Sequence, residues 1–429
     1  MRSSAGGHGE PAAAPAWAGG LRDAPGRPRI RAAVAARRAW RLEACVSGRG
    51  RINFHAPYLF PVLRPGTTEF VGGAEVQQAA IARGLAARGF DVSVATCDYG
   101  QGRRVSIDGI TVLATFPPHR GVPVLRFFHP RLTKSYRALL AADAEVYYAR
   151  CSGLQPGLSH DVAHWRRAAF VMAAAHDDDA RRSMPLVSNP RDRWWYGRAL
   201  RGASAVIAQT ERQRGLFREE FGLESVVIPN LVALPEAPAD AGRDGAVVWL
   251  STYKAAKRPE WFWELARRLP DRRFVMVGAL PPPPLTPEAW ERSREAARHR
   301  PNLDVRGHLD HDRIHDLFGE AALFVHTSPA EGFANTLLEA WAHGIPTVSA
   351  TDPGGIAARE GLGETAEDFD TMVEAVRRWM ADPARRAAAG ARARAYVASH
   401  NAPDVVIDRL AALFDRLVER VRAGRARTT

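Results

Sequence analysis

From Ile52 onward the chain alternates short apolar runs with longer segments whose apolar residues recur at helical spacing. Arg51 to Ala56 reads as a first strand, followed by a Pro/Gly loop over Pro57 to Gly73. In the next segment Ala74, Ile81 and Leu85 share one face of a predicted helix from about Ala74 to Arg88, which Gly89 ends as a C-cap. Asp91 to Thr96 alternates as a strand, and Ile110 to Thr115, Glu145 to Tyr148, Ala169 to Ala175 and Ala205 to Gln209 read as further strands. Strands that alternate with helices imply a parallel sheet covered on both faces.

The pattern stops over Asn230 to Gly245, a stretch rich in Pro, Ala and Asp that reads as a linker. It then restarts with strand Ala246 to Ser251, helix Glu260 to Leu269 and strands Arg273 to Gly278 and Asp304 to Arg306. Helix Arg313 to Glu320, strand Leu323 to Thr327, helix Asn335 to His343 and strand Thr347 to Ala350 complete the second series. In the last helix Val406, Leu410, Leu413, Leu417 and Val421 form an apolar stripe suited to core packing or, as the minor reading, dimerisation. The expected fold is α/β: two Rossmann-like domains that face each other across a cleft at the carboxyl ends of their sheets. The expected boundaries are an N-terminal extension at 1–48, a first domain at 49–229, the linker at 230–245, a second domain at 246–402, and a C-terminal helix at 403–429 free to cross back to the first domain.

Composition adds limits. A chain of 429 residues, 46% apolar and 25% charged, suits two globular domains, and no apolar run approaches a membrane span. Cys45, Cys97 and Cys151 are too scattered for a disulfide framework or a zinc site, and no secretory leader is expected, so a cytoplasmic location follows. Residues 1–50 hold nine Arg against three acids, half of the net +12, and the rest reads as a diffuse excess. Without interleaved aromatic and basic residues, nucleic-acid binding is not expected. A short helix at Ile30 to Leu42 leaves open a peripheral contact with the inner face of a membrane. Among 59 basic residues only Lys134, Lys254 and Lys257 are lysine, and two of these lie three positions apart after the first strand of the second domain. A compact ammonium there suits a phosphate.

The segment EGFANTLLE from Glu331 to Glu339 carries the strongest chemical signal. A strand ends just before it and a helix starts near Asn335, so the loop turns backbone N–H groups toward an anion, with carboxylates before it and one turn into the helix. A plain capping arrangement with a surface Glu fits the spacing equally well. His176-Asp177-Asp178-Asp179 follows another predicted strand. Asp177 and Asp179 form a D-x-D that suits a divalent metal, a solvated loop, or a cleft wall where His176 or Asp177 orients an acceptor hydroxyl. Gly72-Gly73 and Gly354-Gly355 do not make G-x-G-x-x-G, which disfavours a nicotinamide enzyme. Trp194-Trp195-Tyr196 reads as core or interdomain packing rather than a sugar platform.

Glu331 to Pro346 (EGFANTLLEAWAHGIP) resembles the E-x7-E signature of retaining glycosyltransferases of family 4, which have the GT-B fold. Gly72-Gly73-Ala74-Glu75, Lys257-Arg258-Pro259-Glu260, the strand ending at Gly278 and the Asn302 to Gly307 turn extend the resemblance, in matching order, over roughly residues 51 to 425. The resemblance implies a nucleoside diphosphate sugar as donor, a hydroxyl acceptor (a sugar, a lipid-linked sugar or a small molecule), and no required cofactor or metal. It makes 49–229 the acceptor side and 246–402 the donor side. It further implies that Glu331 contacts the donor sugar, and that Gly332, Phe333, Ala334 and Asn335 offer backbone N–H groups to sugar and phosphates. Glu339 would hold the ribose, Lys257 the diphosphate, and Gly72 and Gly73 a close approach of the first domain. The base would lie near Gly278 and Gly307-His308. The family usually places an arginine five residues before the lysine, where this chain has Thr252; Lys254 stands nearby as a substitute. Two rivals remain: an epimerase or hydrolase on the same architecture, and a non-catalytic nucleotide-sugar-binding or scaffold protein.

Overall fold

Central strands of this chain are apolar on both sides, and two sheets bury them between helical layers. The computed structural model describes residues 48–64, 72–118, 127–240, 244–279, 288–309 and 311–427. Among these, β1 (Arg51–His55), β2 (Asp91–Thr96), β3 (Arg104–Ile107), β4 (Ile110–Ala114), β5 (Val146–Arg150), β6 (Ala169–Ala173), β7 (Ala205–Ala208) and β8 (Val226–Val227) form one sheet in the order β3-β4-β2-β1-β5-β6-β7-β8. A second sheet holds β9 (Ala246–Thr252), β10 (Phe274–Ala279), β11 (Leu303–Arg306), β12 (Ala321–His326), β13 (Thr347–Ser349) and β14 (Gly363–Thr365), in the order β11-β10-β9-β12-β13-β14.

Ile52 pairs with Val92 on one side and Val146 on the other, so β1 is where the winding reverses in the first sheet. In the second sheet β9 has that place, between β10 and β12. Crevices open at the carboxyl ends of such strands. Gly72-Gly73 follows β1 and Lys254 to Lys257 follows β9, so the sequence candidates fall at both.

The sheets depart from all-parallel order only at β3, which pairs antiparallel with β4. The sequence reading omits this hairpin, yet its signal is present. Asp108-Gly109 adopts φ of 51° and 77°, the positive pair that a tight two-residue hairpin turn requires. Two short strands, β8 and β14, also escape the periodic pattern.

Two segments sit differently from a linear two-domain reading. The helix Pro403–Ala426 buries Val406, Ile407, Leu410, Phe414 and Leu417 in the core that holds Ile52, Phe54, Ile81 and Leu85. Gly84 of the helix Gly73–Ala87 admits it: a Cβ there would stand 2.7 Å from Ile407. The expected linker is tied down at its start and over most of its length. Leu231 joins the first core and exchanges two hydrogen bonds with Gln77, while Val232 N–H donates to Asn401 and Ala239 N–H to His343. Its composition suggested freedom, but a buried backbone crossing must satisfy its polar groups, and these contacts do so.

Of the aromatic run, Tyr196 is fully buried as expected of a core residue, whereas Trp194 is 60% exposed. The extension at 1–48, with the helix expected at Ile30 to Leu42 and Cys45, lies outside the described residues except for Gly48. No helix among the described residues is long and apolar enough to cross a membrane.

Candidate active site

Strand β12 runs fully buried to His326, and Thr327 and Ser328 lead into the Glu331 loop. Thr327 accepts a hydrogen bond from Trp249 Nε1 at 2.9 Å and donates to the Lys257 carbonyl, which fixes the lysine turn against the end of β12. Lys257 and Glu331 then form a direct ion pair through Nζ and Oε1. His326 Nε2 stands 3.7 Å from the same oxygen, and its Nδ1 meets Ser349 Oγ at 3.3 Å. Burial pushes the Glu331 carboxyl up, but His326 and Lys257 outweigh it and hold the pKa at about 2. Glu331 is therefore an anion at any physiological pH.

Glu339 lies one turn into the helix Asn335–Ala342 in the opposite condition. It is half-buried, and burial without a compensating cation raises its pKa to about 7. Glu331 and Glu339 are thus electrostatically distinct. The helix itself starts without a side-chain cap and without an acid in its first turn, so its positive end is not neutralised from within.

The loop between the two carboxylates is also where the domains meet. Gly332 lies so close to the end of β6 that a Cβ would overlap the Ala175 carbonyl oxygen and press on His176. Asn335 donates to the Gly73 carbonyl at 3.0 Å, while its own oxygen accepts from Asn230 at 2.9 Å and Gln77 at 3.3 Å. Asn230 further receives Arg150 at 2.6 Å and donates to the Phe333 carbonyl at 3.3 Å. Phe333 turns its ring into a buried cluster with Trp341, and Ala334 is buried as well.

Opposite Glu331, His176 Nδ1 accepts from the Asp178 N–H at 3.1 Å. The same nitrogen stands 3.3 Å from Asp178 Oδ2, so Asp178 fixes the ring orientation from both its amide and its carboxylate. Asp177 is held by Arg212 at 2.9 Å and Gln213 at 3.1 Å. Asp179 is fully buried, and its two oxygens accept from the backbone of Ser152, Ala175 and His176. The two acids of the D-x-D thus differ in their surroundings: Asp179 is buried and builds the turn, while Asp177 lines the cleft. A cleft of about 290 Å³ lies between these walls, lined by His176, Asp177, Arg181 and Arg212 on one side and Glu331 and Asp352 on the other.

The structure thus brings together Glu331, Lys257, His176, Asp177, Gly73, Gly332 and Asn335. Gly72 precedes the helix Gly73–Ala87 at its N-cap. Lys254 opens the lysine turn at the end of β9, while Gly278 is the penultimate residue of β10 and His308 lies just after β11, on the side of β9 away from β12. Gly278 has a packing reason to lack a side chain, since a Cβ would overlap the Ser251 carbonyl oxygen. Sequence reasoning missed His326, Asn230 and Arg212. His326 ends a buried strand five residues before Glu331, and a polar residue in an otherwise apolar run was the available signal.

Comparison with known proteins agrees with this architecture. Residues 72–231 match the glycosyl transferase 4-like domain family, and residues 245–382 match the glycosyl transferases group 1 family. Sucrose-phosphate synthase from Thermosynechococcus elongatus superposes with a TM-score of 0.69 at 18% identity, over 86% of this chain and 99% of that one. Anabaena HepE, in its complex with UDP-glucose, superposes with a TM-score of 0.64 at 16% identity, over 86% and 100%. The lipopolysaccharide core biosynthesis mannosyltransferase LpsB of Rhizobium meliloti is 35% identical over 116 residues, 25% of this chain and 33% of LpsB. The GtfA subunit of a peptide N-acetylglucosaminyltransferase from Streptococcus parasanguinis is 26% identical over 35% of this chain and 31% of its own length. Each of these two alignments spans about a third of the relative. The two domain matches, in this order over residues 72–231 and 245–382, together with the superposed structures, support a two-domain glycosyltransferase with the GT-B fold. The chain belongs to that group.

Proposed function

We propose that the chain transfers a sugar from a nucleoside diphosphate sugar to a hydroxyl acceptor, with retention of anomeric configuration, in the synthesis of a polysaccharide or glycoconjugate. The observation that carries this reading is the Lys257–Glu331 pair at the wall of the interdomain cleft, beside the uncapped start of the helix Asn335–Ala342. In this reading Lys257 and the helix start face the diphosphate, where negative charge grows as the bond to the anomeric carbon breaks. Glu331, kept ionised, accepts hydrogen bonds from donor-sugar hydroxyls. Glu339 accepts from the ribose diol, and Lys254 adds charge where Thr252 replaces the usual arginine. Gly72 and Gly73 let the first domain approach, and the base lies toward Gly278 and His308. His176 and Asp177 together orient the acceptor hydroxyl whose oxygen forms the new bond. The HepE complex with UDP-glucose supports a donor of this class.

The test is turnover with nucleotide sugars alongside thermal shift with free nucleoside diphosphates. Lys257→Ala should lose about 10²–10³ in rate, the usual cost of one preorganised charge-stabilising donor. Glu331→Gln should lower turnover while free nucleoside diphosphate still raises the melting temperature to the parent extent. Full turnover in both variants would sink the site assignment, and an altered free sugar as product would favour an epimerase or hydrolase.

A further inference from the structure

The positive charge beyond residue 50 is not diffuse, as its sequence distribution suggested. The segments 127–142, 164–167 and 190–201 contain nine Arg and Lys: Arg131, Lys134, Arg137, Arg166, Arg167, Arg191, Arg193, Arg198 and Arg201. Asp192 lies within them, and Asp143 and Asp161 pair with Arg166 and Arg198. Nine cations against three acids equal the whole +6 net charge of residues 51–429, so the remainder is neutral overall. These segments pack side by side on the first domain.

The same segments carry a connected aromatic surface. Phe128 meets Phe127 at 5.3 Å, Phe127 meets Trp195 at 6.4 Å, and Trp195 meets Trp194 at 6.1 Å between ring centroids. Trp195 and Tyr136 both donate to Asp161 Oδ2, at 3.1 and 2.7 Å, and the Tyr136 ring meets Trp165 at a tilt of 36° and 5.2 Å between centroids. Asp161 is buried, so this polar hub fixes the rings from beneath. Phe128, Trp165 and Trp194 are 62%, 58% and 60% exposed, half of the six large apolar side chains left exposed among the described residues. Arg191 lies over Phe127 at 3.2 Å and Arg198 over Trp194 at 5.4 Å.

We propose that this face docks the protein onto a bilayer surface bearing anionic headgroups. Protruding Phe and Trp rings suit the boundary between headgroups and acyl chains. Surrounding arginines rest their stems on the rings while their guanidinium groups reach the lipid phosphates. Each basic residue close to an anionic leaflet strengthens partitioning roughly fivefold. A nucleic-acid site would place its rings in a charged groove, whereas these rings project outward on helices and a connecting segment. The surface also adjoins the cleft: Tyr196, next to Trp195, donates to the Asp179 carbonyl at 2.7 Å within the His176 turn. The proposal does not depend on the glycosyl-transfer reading.

The test is co-sedimentation of the full chain with vesicles of phosphatidylcholine alone, or with about one third phosphatidylglycerol. The parent should bind the mixed vesicles, bind neutral vesicles at least tenfold more weakly, and be released by high salt. Phe128→Ser/Trp165→Ser/Trp194→Ser and, separately, Arg137→Gln/Arg193→Gln/Arg201→Gln should each lose about tenfold or more in partitioning. Thermal melting verifies their fold, and because all substituted side chains are exposed the charge variant stands in if the aromatic one is unstable. The contribution of the Arg-rich residues 1–50 is common to all and cancels. Parent-like binding by both variants overturns the proposal, as does a parent that binds no vesicle. Undiminished retention of the aromatic variant on vesicles and on heparin alike also overturns it, in favour of a soluble polyanion.

Discussion

Glu331 and Glu339 lie eight positions apart in the sequence and differ in pKa by about five units, about 2 against about 7. Spacing alone made them a pair of carboxylates; only their surroundings separate an anion locked between Lys257 and His326 from an acid waiting to ionise. The second has a measurable consequence. Because burial raises the folded pKa of Glu339 above its ordinary value of about 4.3, its share of stability is complete below that value and is lost as pH rises through about 7. Denaturant melts should therefore show a decline between about pH 4.3 and 7 that Glu339→Gln flattens. A parallel effect belongs to binding: a ribose diol donating to the ionised carboxylate should release a proton near neutrality. Calorimetry of nucleoside diphosphate binding in buffers of different ionisation enthalpy would detect it, and the Gln variant should show none. The sequence marks His326 only as a polar residue closing an apolar run, and its chemistry appears once the fold sets Glu331 beside it.

Short connecting elements carry the junction. The loop from Glu331 to Asn335 lies against the end of β6 through Gly332, and Asn335 bridges Gly73, Gln77 and Asn230. Gly332→Ala should push the Ala175 carbonyl away, open the cleft and cost about 1–3 kcal/mol, the usual range for overpacking. A thermal melt and a turnover assay check this together, and an unchanged variant would show that the contact is not tight. The His176 turn leads to a second expectation. Since Asp179 is spent on three backbone amides while Asp177 turns to Arg212 and Gln213, turnover should be unaffected by EDTA. Activity lost to EDTA and restored by Mg²⁺ or Mn²⁺ would revive the metal reading of the D-x-D. Most strands were legible to within a few residues, because buried central strands are continuous apolar runs, and so were five of the helices. The sequence reading omits helices such as Thr133–Ala142, Leu154–Arg166, Pro190–Arg201 and Pro383–His400. β8 and β14 were not legible either, since two or three residues cannot display a period.

At the scale of the whole molecule, the C-terminal helix is part of the first domain's core although it follows the second domain in the chain. Ending the chain after Asn401 would expose Leu410, Phe414 and their neighbours together with the Ile81 face they cover. Loss of a buried Leu or Phe side chain typically costs 2–5 kcal/mol, roughly half the stability of an ordinary domain for one residue alone. The truncated chain should be insoluble, or should show fast amide exchange throughout Gly73–Ala87; parent-like protection there would refute the packing. Periodicity, glycine placement and charge are local properties, so two α/β domains in order, the crevice ends of β1 and β9, and the residue types able to face a diphosphate were legible along the chain. Tertiary structure alone decided which carboxylate is ionised, which acidic residue is spent on its own turn, how the segment at 230–240 is tied down, and that scattered arginines gather around one aromatic face. Those outcomes depend on contacts between residues tens to hundreds of positions apart, and neither a pKa nor a surface patch exists until such residues share a place.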